Sequence, residues 1–386
     1  MAAPLAASLS EVSDRGGLPR AARNAMREAL RQVGEASLSV AFVSGGPKSP
    51  GVALLADIVG ELGALAPGAV VVAMETPTAL GDGSEREGAV ALSLLTFGRG
   101  VFSVTPTLLD AESEGEPIAD VLHRAAGAHR AEDLSPRVTL AFLGPKAHTA
   151  GSLAGLADPS LPPIAGAGSK AVVGALPGEI PRALTAAVLP LVTRLGVAIC
   201  ASPAVEILTP WAPITEVEGT FVRRVGDRPF LEALTAATGG RGERDPVLVA
   251  VRSADPTRWA PLVRAVAGVD PRRGAVAVAE PLPRGAEVAL AVRSAKDARS
   301  DFHQRLAAIA RGLGGASVAG ALVCSCAGRG KNLFGHKDVD ATLVRTRFPG
   351  PQAGLYGAFE LTPWGQEGGG RFQLFSAVAT VFFRPS

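Results

Sequence analysis

Hydrophobic positions along the chain follow two rhythms, and the first half alternates between them. PRAARNAMREALRQVG (19–34) places apolar residues at helical spacing, with Pro19 near the start and Gly34 as a stop. The residues before it carry no such pattern and read as a tail. LSVAFVS (38–44) is a continuous apolar run, followed by the loop GGPKSPG, a helix over VALLADIVGEL (52–62) and a strand over AVVVAME (69–75). This order predicts a β-α-β unit. It recurs as a helix over 117–127 before the strand RVTLAFLG (137–144), and as a helix over PRALTAAVL (181–189) before the strand GVAICAS (196–202). Between them, SEREGAVALSLLTFG (84–98) reads as one strand behind the turn GDGSE.

After Cys200 the runs shorten. VEILTP, APITEVEG and TFVRRVG are separated by Pro and Gly at hairpin spacing. A helix is predicted over 228–238, then strands VLVAVRS, GAVAVAE and AEVALAVRS, and a long helix over 296–313. The strand SVAGALVCS (317–325) follows, with terminal strands near 353–361 and 371–383. Crossovers mixed with adjacent antiparallel strands predict an α/β chain with mixed parallel and antiparallel sheets flanked by helices.

Composition narrows the partners. A chain of 386 residues, 47% hydrophobic, has room for two domains or one large one with a sizeable core. With 38 Lys and Arg against 36 Asp and Glu, the net charge of +2 gives no electrostatic case for nucleic acid or an anionic membrane. Three cysteines cannot form a disulfide framework and suit a reducing, cytoplasmic setting. MAAPLAASLSEVSDRGG lacks the charged and apolar regions of a signal peptide. The apolar window 183–200 is interrupted by Pro190 and Arg194, and reads as a buried helix leading into a strand rather than a membrane span.

The candidate chemistry centres on VCSCAGRGKNLFG (323–335). Cys324 and Cys326 point to one face of a strand roughly 6.5 Å apart, which disfavours a disulfide. Zinc needs about four ligands, and His336 alone lies nearby. Two readings of Cys326 remain. It is a packed strand end, or it is a nucleophile at a strand's carboxyl edge, activated by Arg329 or glycine amides and served by His123, His129, His148, His303 or His336. GGPKSPG (45–51) lacks the spacing of a phosphate loop, and GHKDVDATL (335–343) reads as an exposed helix start rather than a metal cluster. No metal or other cofactor is expected.

These same residues carry a family resemblance. ALVCSCAGRG, then LFG, AGLYGAFELTPWG and FQLFSAVATVFF, resemble the C-terminal part of the FIST (F-box and intracellular signal transduction) family. The stretches 196–234 and 274–306 are similar to its junction and next hairpin, and VAFVSG with VVVAMETPTALGDGSEREGAVALSLL resembles its N-terminal part. The resemblance implies a tail and helix over 1–34, a FIST N domain over 35–222 and a FIST C domain over 223–386. It further implies a non-enzymatic sensor of a small ligand, an amino acid or related metabolite, that signals through a separate protein. Motif matches fall on Cys326, Gly328, Arg329 and Gly330, on Gly354, Gly357, Glu360, Pro363 and Gly365, and on Thr215, Arg228 and Pro229. Phe375, Val378, Phe359 and Met74 stand where the family carries smaller or more polar residues, which implies either a ligand different from that of typical members or the loss of binding.

A free amino acid needs donors for its carboxylate and acceptors for its ammonium. Arg329 between Gly328 and Gly330 is the candidate donor, beside Cys326. Glu360 near Gly357 is the candidate acceptor, with Glu75 and Thr76 from the first half as a second. The plain alternatives are that Arg329 pairs with Glu360 and that Glu75 is an exposed strand end. The competing function is a cysteine-dependent hydrolase or acyl transferase using Cys326.

Overall fold

The computed structural model describes residues 2–110, 120–121, 123–124, 137–148, 156, 158, 160–239, 246–253, 260–363 and 369–385. The first half runs β1 (Leu5–Glu11), α1 (Leu18–Val33), β2 (Ala36–Gly45), α2 (Gly51–Leu65), β3 (Val70–Glu75), β4 (Thr78–Gly81), β5 (Ser84–Glu87) and β6 (Val90–Gly98). It continues through β7 (Phe102–Val104), β8 (Thr107–Asp110), β9 (Val138–Leu143), β10 (Ile164–Gly168), β11 (Val172–Ala175), β12 (Arg182–Thr193) and β13 (Gly196–Pro203). A meander follows: β14 (Val205–Ile207), β15 (Ala212–Glu218), β16 (Phe221–Val225), β17 (Arg228–Pro229), α3 (Phe230–Thr238), β18 (Leu248–Val251), β19 (Leu262–Asp270), β20 (Ala275–Val278) and β21 (Glu287–Arg293). The chain then forms α4 (Ala295–Gly312), β22 (Val318–Cys326), α5 (Lys331–Phe334), α6 (Val339–Arg347), β23 (Gln352–Gly357), β24 (Glu360–Thr362), β25 (Arg371–Gln373) and β26 (Ser376–Phe383).

Three sheets result, and the two halves of the chain interleave in them. The large sheet has the order β1-β6-β2-β3-β11-β12-β9-β10-β24-β25, so its last two strands come from the C-terminal region. The second sheet has the order β13-β26-β22-β23-β4-β5, so the β4–β5 hairpin comes from the N-terminal region. In the third, β18 pairs with both β19 and β21, which closes the meander into a barrel. The fold is mixed α/β with parallel and antiparallel pairing in one molecule.

Each strand face is explained by what covers it. Phe42, Phe97, Phe142, Leu322, Leu355 and Phe382 fill the core between the large and second sheets. Phe97, Phe102 and Phe382 meet there edge to face at 4.9 to 5.7 Å, a favoured ring geometry. The helices α1 and α2 cover the outer face of the large sheet, and α4 and α6 cover that of the second sheet. β2 and β3 are therefore buried on both faces and read as continuous apolar runs. The barrel has a core of its own and is tied to β25 where Arg264 Nη1 donates to the Phe372 carbonyl at 3.1 Å.

Several sequence expectations change. The leading tail contains β1, which pairs antiparallel with β6 from Leu5 to Glu11. The helix expected over 181–189 is the central strand β12, so the apolar window 183–200 is two strands and not a helix leading into one. Alternate residues of β12 enter different cores: Ala187, Leu189 and Leu191 face the inter-sheet core, while Ala186 and Val188 face the opposite side. The stretch 84–98 is two strands in different sheets, β5 paired with β4 and β6 paired with β1 and β2, and the chain turns between them at Gly88 (φ 73°). β19 was not anticipated, and the helix expected over 117–127 lies largely outside the described residues. Among the described residues no helix is long and apolar enough to cross a membrane.

Candidate functional site

The parallel pairs β2/β3, β9/β10 and β22/β23 run their carboxyl ends to a common place. Ligands of α/β proteins bind outside such ends, because the loops that leave them can diverge and open a crevice. A cleft of about 210 Å³ lies there, walled by residues 45–50, 75–77 and 168–170 and by Ala327, Tyr356 and Ala358. It is lined from both halves of the chain and is sized for a small solute.

Glu75 ends β3 in this cleft and is only 8% exposed, not the exposed strand end that its sequence context suggests. The Ser49 hydroxyl donates to its Oε2 at 2.8 Å, and its other oxygen has no donor among the described residues. Thr76 ties the halves together. Its hydroxyl lies 2.8 Å from the carbonyls of Thr78 and Tyr356 and accepts from the N–H groups of the same two residues at 3.1 and 3.2 Å. Lys48 and Lys170 flank the opening, and neither forms an ion pair among the described residues. The cleft thus sets ammonium groups at its rim and a carboxylate in its wall.

Beneath one side of the cleft lies a buried polar cluster. Arg329 is 0% exposed and holds Asp340 through two parallel bonds, Nε to Oδ2 and Nη2 to Oδ1, both 2.8 Å. Nη1 reaches the Ser202 carbonyl at 3.3 Å, and Ser325 donates to Asp340 at 2.6 Å. The rings of Phe302 and Phe334 lie 5.9 and 5.4 Å from the guanidinium. Burial works against the Arg329 charge, but the carboxylate and bonds of Asp340 more than offset it and keep the pKa above its ordinary value. Arg329 therefore pairs with Asp340 and not with Glu360, and its side chain does not line the cleft. Asp340, expected at an exposed helix start, is fully buried.

Glu85 completes the cluster from the N-terminal hairpin. Its carboxylate accepts from the backbone N–H groups of Asp338, Asp340 and Ala341 at 2.8, 3.1 and 3.2 Å, and so caps α6. Burial, with Asp340 nearby, pushes its pKa up to about 7. The Tyr356 hydroxyl is close enough to influence Glu85 but closes no regular hydrogen bond, and burial and the two carboxylates push its pKa up. Gly330 (φ 59°) fits here because a Cβ would meet the Tyr356 ring at 2.6 Å.

Cys326 and Glu360 lie on the inter-sheet side of β22. Burial first, then the Glu360 carboxyl, pushes the Cys326 thiol up to about 12. Glu360 is itself held well above the ordinary carboxyl range by burial; its Oε2 accepts from the Ser376 hydroxyl at 2.7 Å while Oε1 has no partner. The described histidine side chains are engaged elsewhere: His123 with Asp158, His303 with Arg347 and His336 with Arg299. His129 and the side chain of His148 lie outside the described residues. Gly328 gives its carbonyl to Arg293, and a Cβ on Gly357 would meet the Phe359 carbonyl at 2.9 Å.

The structure thus brings Glu75 and Thr76 to the cleft and sets Arg329, Gly330, Cys326 and Glu360 behind it. Met74, Val378, Phe359 and Phe375 are not among the residues that line it; Met74 and Val378 sit in the inter-sheet core, and Phe375 adopts φ 55° beneath the Arg293 guanidinium. Sequence reasoning missed Lys48, Ser49, Lys170, Glu85 and Tyr356. GGPKSPG and GDGSE were read only as turns, and nothing local marks which turn residue faces inward.

Comparison with known proteins places one part of the chain. Residues 232–363 match the FIST C domain. The matched segment carries Cys326, Arg329, Asp340 and Glu360, whereas Glu75, Thr76 and Glu85 lie outside it. An uncharacterized protein of Mycobacterium tuberculosis is 32% identical over 161 residues, and one of Mycobacterium bovis is 30% identical over the same length. Each match spans 39% of this chain and 42% of the relative. A solved chorismatase structure aligns over 99% of both chains at TM-score 0.37 and 11% identity, a likeness that says nothing about activity. Both members of the buried Arg329–Asp340 pair fall within the FIST C segment.

Proposed function

We propose that the protein is a non-enzymatic sensor that binds a small zwitterion, an amino acid or related metabolite, in the cleft at the carboxyl ends of its parallel strands, and passes the signal to a separate protein. The observation that carries this reading is the pairing of Lys48 and Lys170 at the rim with the buried Glu75 in the wall. The lysines suit a carboxylate and Glu75 suits an ammonium. The FIST C match supports a sensory role. Arg329 serves by fixing the floor through Asp340 rather than by touching the ligand. The competing cysteine-enzyme reading has less support, because a thiol pushed up to about 12 is protonated at neutral pH.

A thermal-shift screen of the purified protein against amino acids and common metabolites tests the reading. A ligand at ~100 times its Kd adds about 2.7 kcal/mol of stability. Glu75→Gln and Lys170→Ala are expected to remove that gain while leaving the unliganded melting temperature nearly unchanged. Absence of any stabilising zwitterion, or full stabilisation of both variants, would overturn it.

A further inference from the structure

A second cleft, of about 530 Å³, lies on the outer side of α4, away from the proposed ligand site. Lys296, Arg299, Ser300 and His303 of α4 form one wall, and Phe334 and Leu343 form the apolar floor. Its charge is one-sided. Arg299 Nη2 donates to His336 Nε2 at 2.9 Å, and Arg347 Nη2 donates to His303 Nε2 at 3.3 Å. His336 Nδ1 lies 3.2 Å from the Lys337 carbonyl, so each ring nitrogen has a partner. Neither arginine, nor Lys296, has a carboxylate partner among the described residues. The acidic groups of α4 are committed elsewhere: Asp297 bonds the N-cap Ser294, and Asp301 holds Arg305 at 2.8 Å.

Spacing narrows the occupant. Arg299 and His303 are four positions apart on a helix, about 6 Å along its axis. Side chains on one face of an extended peptide repeat at about 6.6 Å. We propose that this cleft docks an extended acidic segment of a partner protein, with carboxylates at alternate positions seated on the Arg299–His336 and His303–Arg347 pairs. Phe334 and Leu343 take the methylene stems of those side chains. Charge complementarity with Arg299 and Lys296 in the cleft and with Arg347 beside it, none of which has a carboxylate partner among the described residues, supplies the attraction, and the spacing of the pairs supplies the register. Phe334 also lies 6.0 Å from Arg299 and 5.4 Å from the buried Arg329, so the docking surface adjoins the polar cluster behind the ligand cleft.

The test uses the full chain and a fluorescein-labelled peptide of alternating Glu and Ser, read by anisotropy. Binding is expected to weaken about tenfold between roughly 50 and 300 mM salt, as expected for partly exposed ion pairs. The double variant Arg299→Gln/Arg347→Gln, and separately Lys296→Gln, are expected to weaken it by about tenfold and about threefold, with unchanged melting curves. A Gln-for-Glu peptide is expected not to bind, and one with the same glutamates at every third position to bind more weakly. Glu75→Gln is expected to leave peptide binding intact, which separates this proposal from the ligand reading. Failure of the alternating peptide to bind, equal binding by the double variant or by either control peptide, or tighter binding of inorganic pyrophosphate than of the peptide would overturn it.

Discussion

Glu85 and Arg329 show how much of the site depends on single buried charges. Three backbone donors favour an ionised Glu85, yet burial and Asp340 raise its pKa to about 7 from 4.5. Between those values the folded state binds more protons than the unfolded chain, so stability falls as pH rises through the window. The loss expected from pH 5 to pH 8 is on the order of 3 kcal/mol, measurable by urea unfolding. Glu85→Gln is expected to flatten the slope without abolishing it, because Glu360 shifts in the same direction. Arg329→Ala leaves Asp340 buried and uncompensated, and is expected to cost about 3–5 kcal/mol in the same assay. A stability loss below 1 kcal/mol would show that water reaches the pair. Sequence alone marked Arg329, because it stands between two glycines at the end of a buried strand and matches the family motif. It did not mark Asp340, since only one acid of the polar stretch HKDVD turns inward.

At the level of elements, apolar periodicity was informative where a face meets solvent and silent where both faces are covered. α1 buries a stripe that includes Leu18, Ala22, Ala25, Met26, Ala29 and Val33, and its start and stop were legible. β12 has cores on both sides, so its alanines and leucines scored as helical; tertiary pairing with β11 and β9 decides otherwise. Pro190 within it would cost a helix about 3 kcal/mol and is the one local clue. The junction between β3 and β4 was not legible, because one of the two Thr76 partners, Tyr356, is 280 residues away. Thr76→Val removes a hydroxyl that accepts from two N–H groups and has one proton to share between two buried carbonyls, and is expected to cost on the order of 3 kcal/mol. Amide exchange at Tyr356 and Thr78 should accelerate in that variant. Unchanged exchange would show that the two segments hold without the hydroxyl.

For the whole molecule, the order of segments was readable but their interleaving was not, because strand partners distant in sequence leave no local signal. The segment that matches the FIST C domain contains β22 and β23 but lacks β13, β26, β4 and β5 of the same sheet. It also lacks β14, β15 and β16 of the barrel sheet. Residues 232–363 expressed alone are therefore expected to show no cooperative thermal transition and no dispersed amide spectrum. A folded fragment would mean that these strands are dispensable. The place of β26 has a further consequence for how the chain matures. It lies between β13 and β22 and is made after both, so while it is still inside the ribosome two apolar strands wait without their shared neighbour. Premature stop codons between residues 326 and 376 should consequently yield sticky, chaperone-bound chains rather than a smaller working protein.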